Sequence, residues 1–293
     1  MAVDRAAVRV NRAPSSRAGD IARNFWRNRK AALGAGLLSV LVLVTILRPL
    51  VTPYSPTRPY PEDALSPPSA QHWMGTDEIG RDVLSRVLAG THISLGVGLA
   101  ASALTGMLGV AFGLLSGYRG GWVDAVIMRG VDVMLAVPTL LFALAIAAAL
   151  GAALSNVVLA VGIAGAPRFT RFVRGCVMAA RENVYVEAAR AGGCSEPRVA
   201  VRHILPNVYG PALILGTLNI GVAILTAATL SFLGMGAQPP TPEWGLILAK
   251  GRENLGTAWW ISTFPGLLIT VTVIAINLFG DGLHDALDPR LRL

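Results

Sequence analysis

Tyr185-Val186-Glu187-Ala188-Ala189-Arg190-Ala191-Gly192-Gly193-Cys194-Ser195-Glu196-Pro197-Arg198-Val199-Ala200-Val201-Arg202-His203-Ile204-Leu205-Pro206-Asn207 is a polar, basic stretch set between long apolar blocks. Its first part collects helix formers around alanines. Gly192-Gly193 is expected to end that helix, because glycine takes the left-handed conformation at little cost. Ser195 is a good N-cap and Pro197 is tolerated in a first turn, so a second helix is predicted to start there. Pro206 is expected to end it and to open the next apolar segment. A helix, a glycine turn and a second short helix make a docking surface. Ala188 and Ala189 are small enough to sit closely in a partner's groove, and Glu187 and Arg190 would flank them with charge.

The rest of the chain calls for lipid. Of 293 residues, 53% are hydrophobic and 14% charged, with a mean hydropathy of +0.57. A soluble domain carries about a quarter charged residues. The net charge of +8 does not indicate nucleic acid, since no basic, aromatic-interleaved soluble domain is present. The basic residues fall between apolar blocks, where they orient a protein in a bilayer. Cys176 and Cys194 are read as reduced thiols without a role. His72, His92, His203 and His284 lack ligand spacing, so no metal site is expected. The N-terminus is basic and polar without an apolar core, so the first span is expected to serve as an uncleaved insertion signal.

Segments free of Asp, Glu, Lys and Arg run over 31–47, 87–118, 133–167, 203–242 and 254–280. A spanning helix needs about 20 residues. The third block is too long for one, and Gly151 with Ser155-Asn156 breaks it. The positive-inside rule then decides the count. With six spans and both termini cytosolic, the outside basic residues are only Arg48, Arg58, Arg81, Arg86, Lys250 and Arg252. With one span in the third block, the basic loop around 168–202 would face outward and the bias would vanish. The expected spans are 30–50, 92–116, 127–150, 153–170, 208–234 and 258–279, with Arg129 and Asp132 near the interface. Proline-rich 51–70 and Gln238-Pro239-Pro240-Thr241-Pro242 are expected to be extended. Gly109, Gly113 and Gly117 lie on one face of the second span, a spacing that lets helices approach closely. Pro138 permits a kink in the third span, static or mobile. No charge lies deep in a span, which argues for an external energy source over ion coupling.

The docking stretch, with Glu187-Ala188-Ala189, Gly193 and Leu205-Pro206 in this spacing, resembles the coupling loop of ABC importer permeases. Met74-Gly75-Thr76-Asp77-Glu78-Ile79-Gly80-Arg81-Asp82 is similar to the extracytoplasmic segment of the dipeptide/oligopeptide (and nickel) permease family. So are Leu230-Ser231-Phe232-Leu233-Gly234-Met235-Gly236, the Pro239 to Gly245 run, and the C-terminal Asn277 to Arg290 run. The similarity covers 20–293 and points to the C-component type; Ala166-Pro167 departs where relatives often carry an aromatic. The resemblance implies an all-α membrane protein, with six transmembrane helices, cytosolic termini and type I ABC importer permease architecture. It implies a cytosolic segment 1–30, a first transmembrane helix with extracytoplasmic loop 31–90, and a permease domain 91–293 with coupling loop 184–206. Glu187, Ala188, Ala189, Arg190, Gly193, Arg202, His203, Leu205 and Pro206 would couple to an ATPase. The implied partners are a homologous second permease, two ABC ATPase subunits, an extracytoplasmic substrate-binding protein and the lipid of the cytoplasmic membrane. This chain would bind no cofactor itself, with ATP and Mg used by the ATPases.

No G-x-x-x-x-G-K-[ST] phosphate loop occurs in the chain, so ATP hydrolysis by that route is excluded. An intramembrane protease would need a base near Ser116 or Ser231, yet no histidine sits at matching depth, and H-E-x-x-H is absent. An ion-coupled secondary carrier lacks its intramembrane charge. The expectation is ATP-driven import of peptides by alternating access, with nickel or another small solute as the alternative cargo.

Overall fold

The computed structural model describes residues 25–287, and every regular element among them is a helix. The basic residues before position 25, and Arg290 and Arg292, lie outside the described residues. Helix α1 (Arg29–Ile46) starts at Asn28, whose side chain accepts from the Lys30 and Ala31 amides. A short α2 (Arg48–Val51) follows. Residues 52–82 then run without regular structure, apart from one 3-10 turn at Pro61–Asp63 and an isolated bridge between Thr76 and Asp82. The proline-rich expectation holds there because proline fixes φ and removes the amide a helix needs.

Helix α3 (Val83–Arg119) is 37 residues long. At 1.5 Å per residue it reaches about 55 Å, well beyond the ~30 Å hydrocarbon layer. Asp82 caps its start, accepting from the Ser85 amide at 2.7 Å. Gly120, at φ +65°, ends it. Then come α4 (Gly121–Leu135), α5 (Thr139–Leu150) and α6 (Leu154–Arg181). After the docking stretch follow α9 (Leu205–Phe232), α10 (Trp244–Gly251) and α11 (Trp260–Leu287), where α7 and α8 are the two docking helices described below.

The most extensive packing joins α3 to α6. The glycine stripe makes it possible. A Cβ on Gly109 would lie 2.6 Å from Phe169 Cβ, and one on Gly117 would lie 2.8 Å from the Arg174 carbonyl oxygen. The spacing expected to bring a helix close therefore does so, against Phe169, Val173 and Val177. At the other side α1 packs on α11, where Gly34 meets the Ala275 carbonyl and Gly282 meets Ala31.

The contacts sort the loops to two ends. At one end, residues 52–82 and α10 cover the start of α3. Trp260 Nε1 donates to the Thr76 carbonyl at 3.0 Å, and Trp244 Nε1 to the Val87 carbonyl at 2.9 Å. His72 bonds Asp82 at 2.9 Å, and Asp77 binds Arg81 at 2.7 Å, all four groups buried. Burial drops the Arg86 guanidinium to about 10, with the neighbouring Arg81 charge pushing the same way. At the other end, the last turns of α3 and α6 meet the docking stretch. Asn28 also bonds Asp285 there at 2.7 Å, tying the start of α1 to the end of α11.

One expectation needs correction. The third span is not a kinked helix over 127–150. It is two helices, α4 and α5, that meet at 91° across residues 136–138. Pro138 stands at the start of α5, because a proline without an amide fits a first turn better than a helix interior. Helix α6 runs past the expected fourth span, 153–170, to Arg181. Among the described residues, four helices are long and apolar enough to cross a membrane, or five with the bent pair as one span. The helix α6 falls short of that measure because Arg168, Arg171 and Arg174 populate its second half.

Candidate coupling surface

Helix α7 (Val184–Ala191) ends as the glycines dictate. The Cys194 amide donates to the Ala189 carbonyl at 3.1 Å and the Gly193 amide to Arg190 at 2.9 Å, with Gly193 at φ +79°. This paired closure needs a left-handed residue at Gly193, which a side chain disfavours. Helix α8 (Glu196–Val199) starts after Ser195 with Pro197 in its first turn, although the Ser195 side chain caps nothing.

Pro206 does not end the second helix, contrary to expectation. A π-helical turn over Ala200–Ile204 joins α8 to α9, giving one continuous helical stretch from Glu196 to Phe232. The wider turn is the physical reason. A proline ring in an α-helix clashes with the carbonyl four residues back and leaves it without a partner. Loosening the preceding turn accommodates the ring without breaking the rod.

The stretch has two faces. Val186, Val199 and Ile204 are fully buried against Phe169, Val173 and Val177 of α6. Val186, Ala189 and Arg190 share the inward side of α7, as residues three and four apart must. Val184, Glu187 and Ala188 share the outward side, and Val184 is 79% exposed. The pairing of Ala188 with Ala189 on one docking face is therefore split. Ala189 packs inward, and Arg190 turns onto Tyr118. Gly193, Arg202 and Pro206 are exposed, while His203 and Leu205 are half-buried.

Tyr118, next to last in α3, was not legible as part of this surface. Its hydroxyl donates to the Glu196 carboxylate. The Arg190 guanidinium lies 5.8 Å from its ring centre, while Arg190 Nε is 3.4 Å from Glu196. Arg181 Nη1 donates to the Tyr118 carbonyl at 3.0 Å. Burial, and then the bond to Glu196, pushes the Tyr118 hydroxyl up, while that same hydroxyl first and Arg190 next hold the Glu196 carboxyl down. Only a tyrosine beside Arg119-Gly120, at the close of a long apolar block, hinted at an interfacial contact; its partner is 78 residues away.

A second polar link lies beside it. Arg174 grips Asp124 with two bonds of 2.6 Å, and Ser116 donates to the same carboxylate. Arg171 pairs with Asp132. These pairs tie α4 to α6 just before the 91° bend. No cluster of metal-ligating side chains occurs among the described residues.

Comparison with known proteins identifies the family. Residues 109–293 match the model of the binding-protein-dependent transport system inner membrane component family. Residues 16–68 match the N-terminal transmembrane domain of oligopeptide transport permease C. The dipeptide transport system permease protein DppC of Alkalihalophilus pseudofirmus is 42% identical over 270 residues, 92% of this chain and 89% of the relative. The glutathione transport system permease protein GsiD of Pectobacterium atrosepticum is 42% identical over 275 residues, 92% of this chain and 91% of the relative. The di/tripeptide transport system permease protein DppC of Pseudomonas aeruginosa is 43% identical over 281 residues, 92% of each chain. The chain belongs to the binding-protein-dependent transport system inner membrane components, the membrane permease subunits of ABC importers.

Proposed function

We propose that this chain is the C-type permease subunit of an ATP-driven importer of small peptides, working beside a homologous second permease. The single observation that carries the coupling role is the two-faced docking stretch 184–206. Its inward side is locked to the helix bundle, and its outward side offers Val184, Glu187, Ala188 and Val201, which no other described residue covers. A surface so placed, on a chain without a phosphate loop, suits an engine supplied from outside. Two ABC ATPases would use ATP and Mg, and one would dock here. Glu187, Ala188, Gly193, Arg202 and Pro206 would face it, while Ala189, Arg190, His203 and Leu205 set its backing.

The two-ended sorting of loops supports six crossings with the docking stretch and both termini on the cytosolic face of the cytoplasmic membrane. The bent α4–α5 pair would be the third crossing and α6 the fourth. In this division 1–30 is the cytosolic segment, 31–90 the first helix and extracytoplasmic loop, and 91–293 the permease domain. An extracytoplasmic binding protein would deliver cargo to the opposite face. The two permeases would then exchange inward-facing for outward-facing packing as rigid bodies. Peptide cargo is proposed because relatives on the same architecture are named for dipeptide, di/tripeptide and glutathione transport.

Reconstitution in liposomes tests this. Uptake should require ATP on the ATPase side and should not respond to an imposed ion gradient in energy-depleted vesicles. Uptake driven by the gradient alone would replace the proposal with a secondary carrier. A tag map that placed Arg190 outside the cell would also overturn it.

A further inference from the structure

We propose that Tyr118 is the positioning residue that ties the docking stretch to α3, so that displacement of the stretch moves α3 as a rod. This rests on the reading that the stretch receives an ATPase. The chain itself joins the stretch to α6, through Glu182 and Asn183, and to α9, through the π turn. No covalent continuity joins it to α3. Val186, Val199 and Ile204 contribute apolar packing, with Val110 and Leu114 of α3 at the edge of the same cluster. The Tyr118 cluster adds a directed contact. One side chain engages the end of α7 through Arg190 and the start of α8 through Glu196, while its own carbonyl accepts from Arg181 at the end of α6. A charge-assisted bond with fixed geometry transmits displacement in a defined direction.

The rest of α3 is built to carry that displacement. Its glycine stripe seats it along α6 at backbone contact distance. Its far end is fastened to the opposite loops. Asp82 caps the helix and bonds His72, the Val83 amide donates to the Gly75 carbonyl at 3.0 Å, and Val87 accepts from Trp244. A push at Tyr118 therefore arrives at the extracytoplasmic cap, about 55 Å away at 1.5 Å per residue.

The experiment measures uptake and ATP hydrolysis together on the complete transporter in liposomes. Tyr118→Ala should lower peptide imported per ATP at least tenfold with the ATPase still co-purifying. Tyr118→Phe, which keeps the ring for Arg190, and Glu196→Gln, which keeps an acceptor, should fall between that and wild type. A second measurement bridges Tyr118→Cys to Glu196→Cys with a short bis-maleimide, with Cys176 and Cys194 replaced by serine. The inference requires a contact that holds throughout the cycle, so bridging should restore the ratio lost in the unbridged pair. An unchanged ratio in Tyr118→Ala, a bridged protein that stays uncoupled, or a loss of uptake that merely follows loss of the ATPase would each overturn the inference. A wild-type chain that never holds an ATPase would overturn the functional reading and this inference with it.

Discussion

Gly113 and Val173 meet so closely that a methyl group on Gly113 would lie 2.7 Å from Val173 Cβ, and 2.9 Å from the Thr170 carbonyl oxygen. Gly106, two turns earlier on α3, has only the Phe169 ring tip at 3.9 Å. Gly113→Ala should therefore destabilise the α3–α6 pair by about 1–3 kcal/mol, the usual cost of overpacking. Gly106→Ala should be neutral or stabilising by up to about 1 kcal/mol, since alanine is the better helix former. Thermal unfolding of the purified protein in detergent separates the two. Equal shifts would mean that the stripe does not set the packing distance.

Gly193 has open space around it, so a substitution there meets no clash. Its cost is conformational: a β-branched residue at φ +79° loses about 1–2 kcal/mol, and the closing bonds of α7 loosen. Gly193→Val should abolish uptake while membrane insertion stays intact, and Gly193→Asn should be milder. Normal uptake by the valine variant would remove this stretch from the transmission path.

Glu187 is exposed on the outward side of α7, with no ion pair among the described residues. Glu187→Arg should weaken co-purification of the ATPase several-fold without changing the amount of inserted permease. Pull-down from solubilised membranes measures this. An undiminished yield would assign the docking contact to other side chains.

Arg174 holds Asp124 through two bonds of 2.6 Å that join α4 to α6. Asp124→Ala and Arg174→Ala should each lower the thermal midpoint of the purified protein in detergent. The double variant should lose less than the sum of the two single losses, because the residues act as one pair. Additive losses would mean that the pair does not couple the two helices.

Local chemistry was legible at particular residues. Gly193 reads as a helix end because only glycine takes that φ cheaply, whatever surrounds it. The stripe at Gly109, Gly113 and Gly117 reads as a contact face because helical spacing is fixed, but its partner, α6, could not be named. The 91° turn at Pro138 and the uninterrupted passage through Pro206 differ from the expectation because a proline can be accommodated in more than one way. Pro138 opens α5, where its missing amide leaves no bond unmade and the chain is free to turn, whereas at Pro206 the π turn over Ala200–Ile204 takes up the ring and the helix runs on.

The order of residues by itself determined an all-helical, lipid-seeking chain with an exposed basic connector, because hydropathy, charge placement and glycine conformation act within a few residues. Tertiary structure alone decided that Tyr118 would meet Glu196 and Arg190, and which side of α7 would face away. Those contacts join segments far apart in the chain, and no local spacing encodes a distance that exists only once α3 has packed on α6.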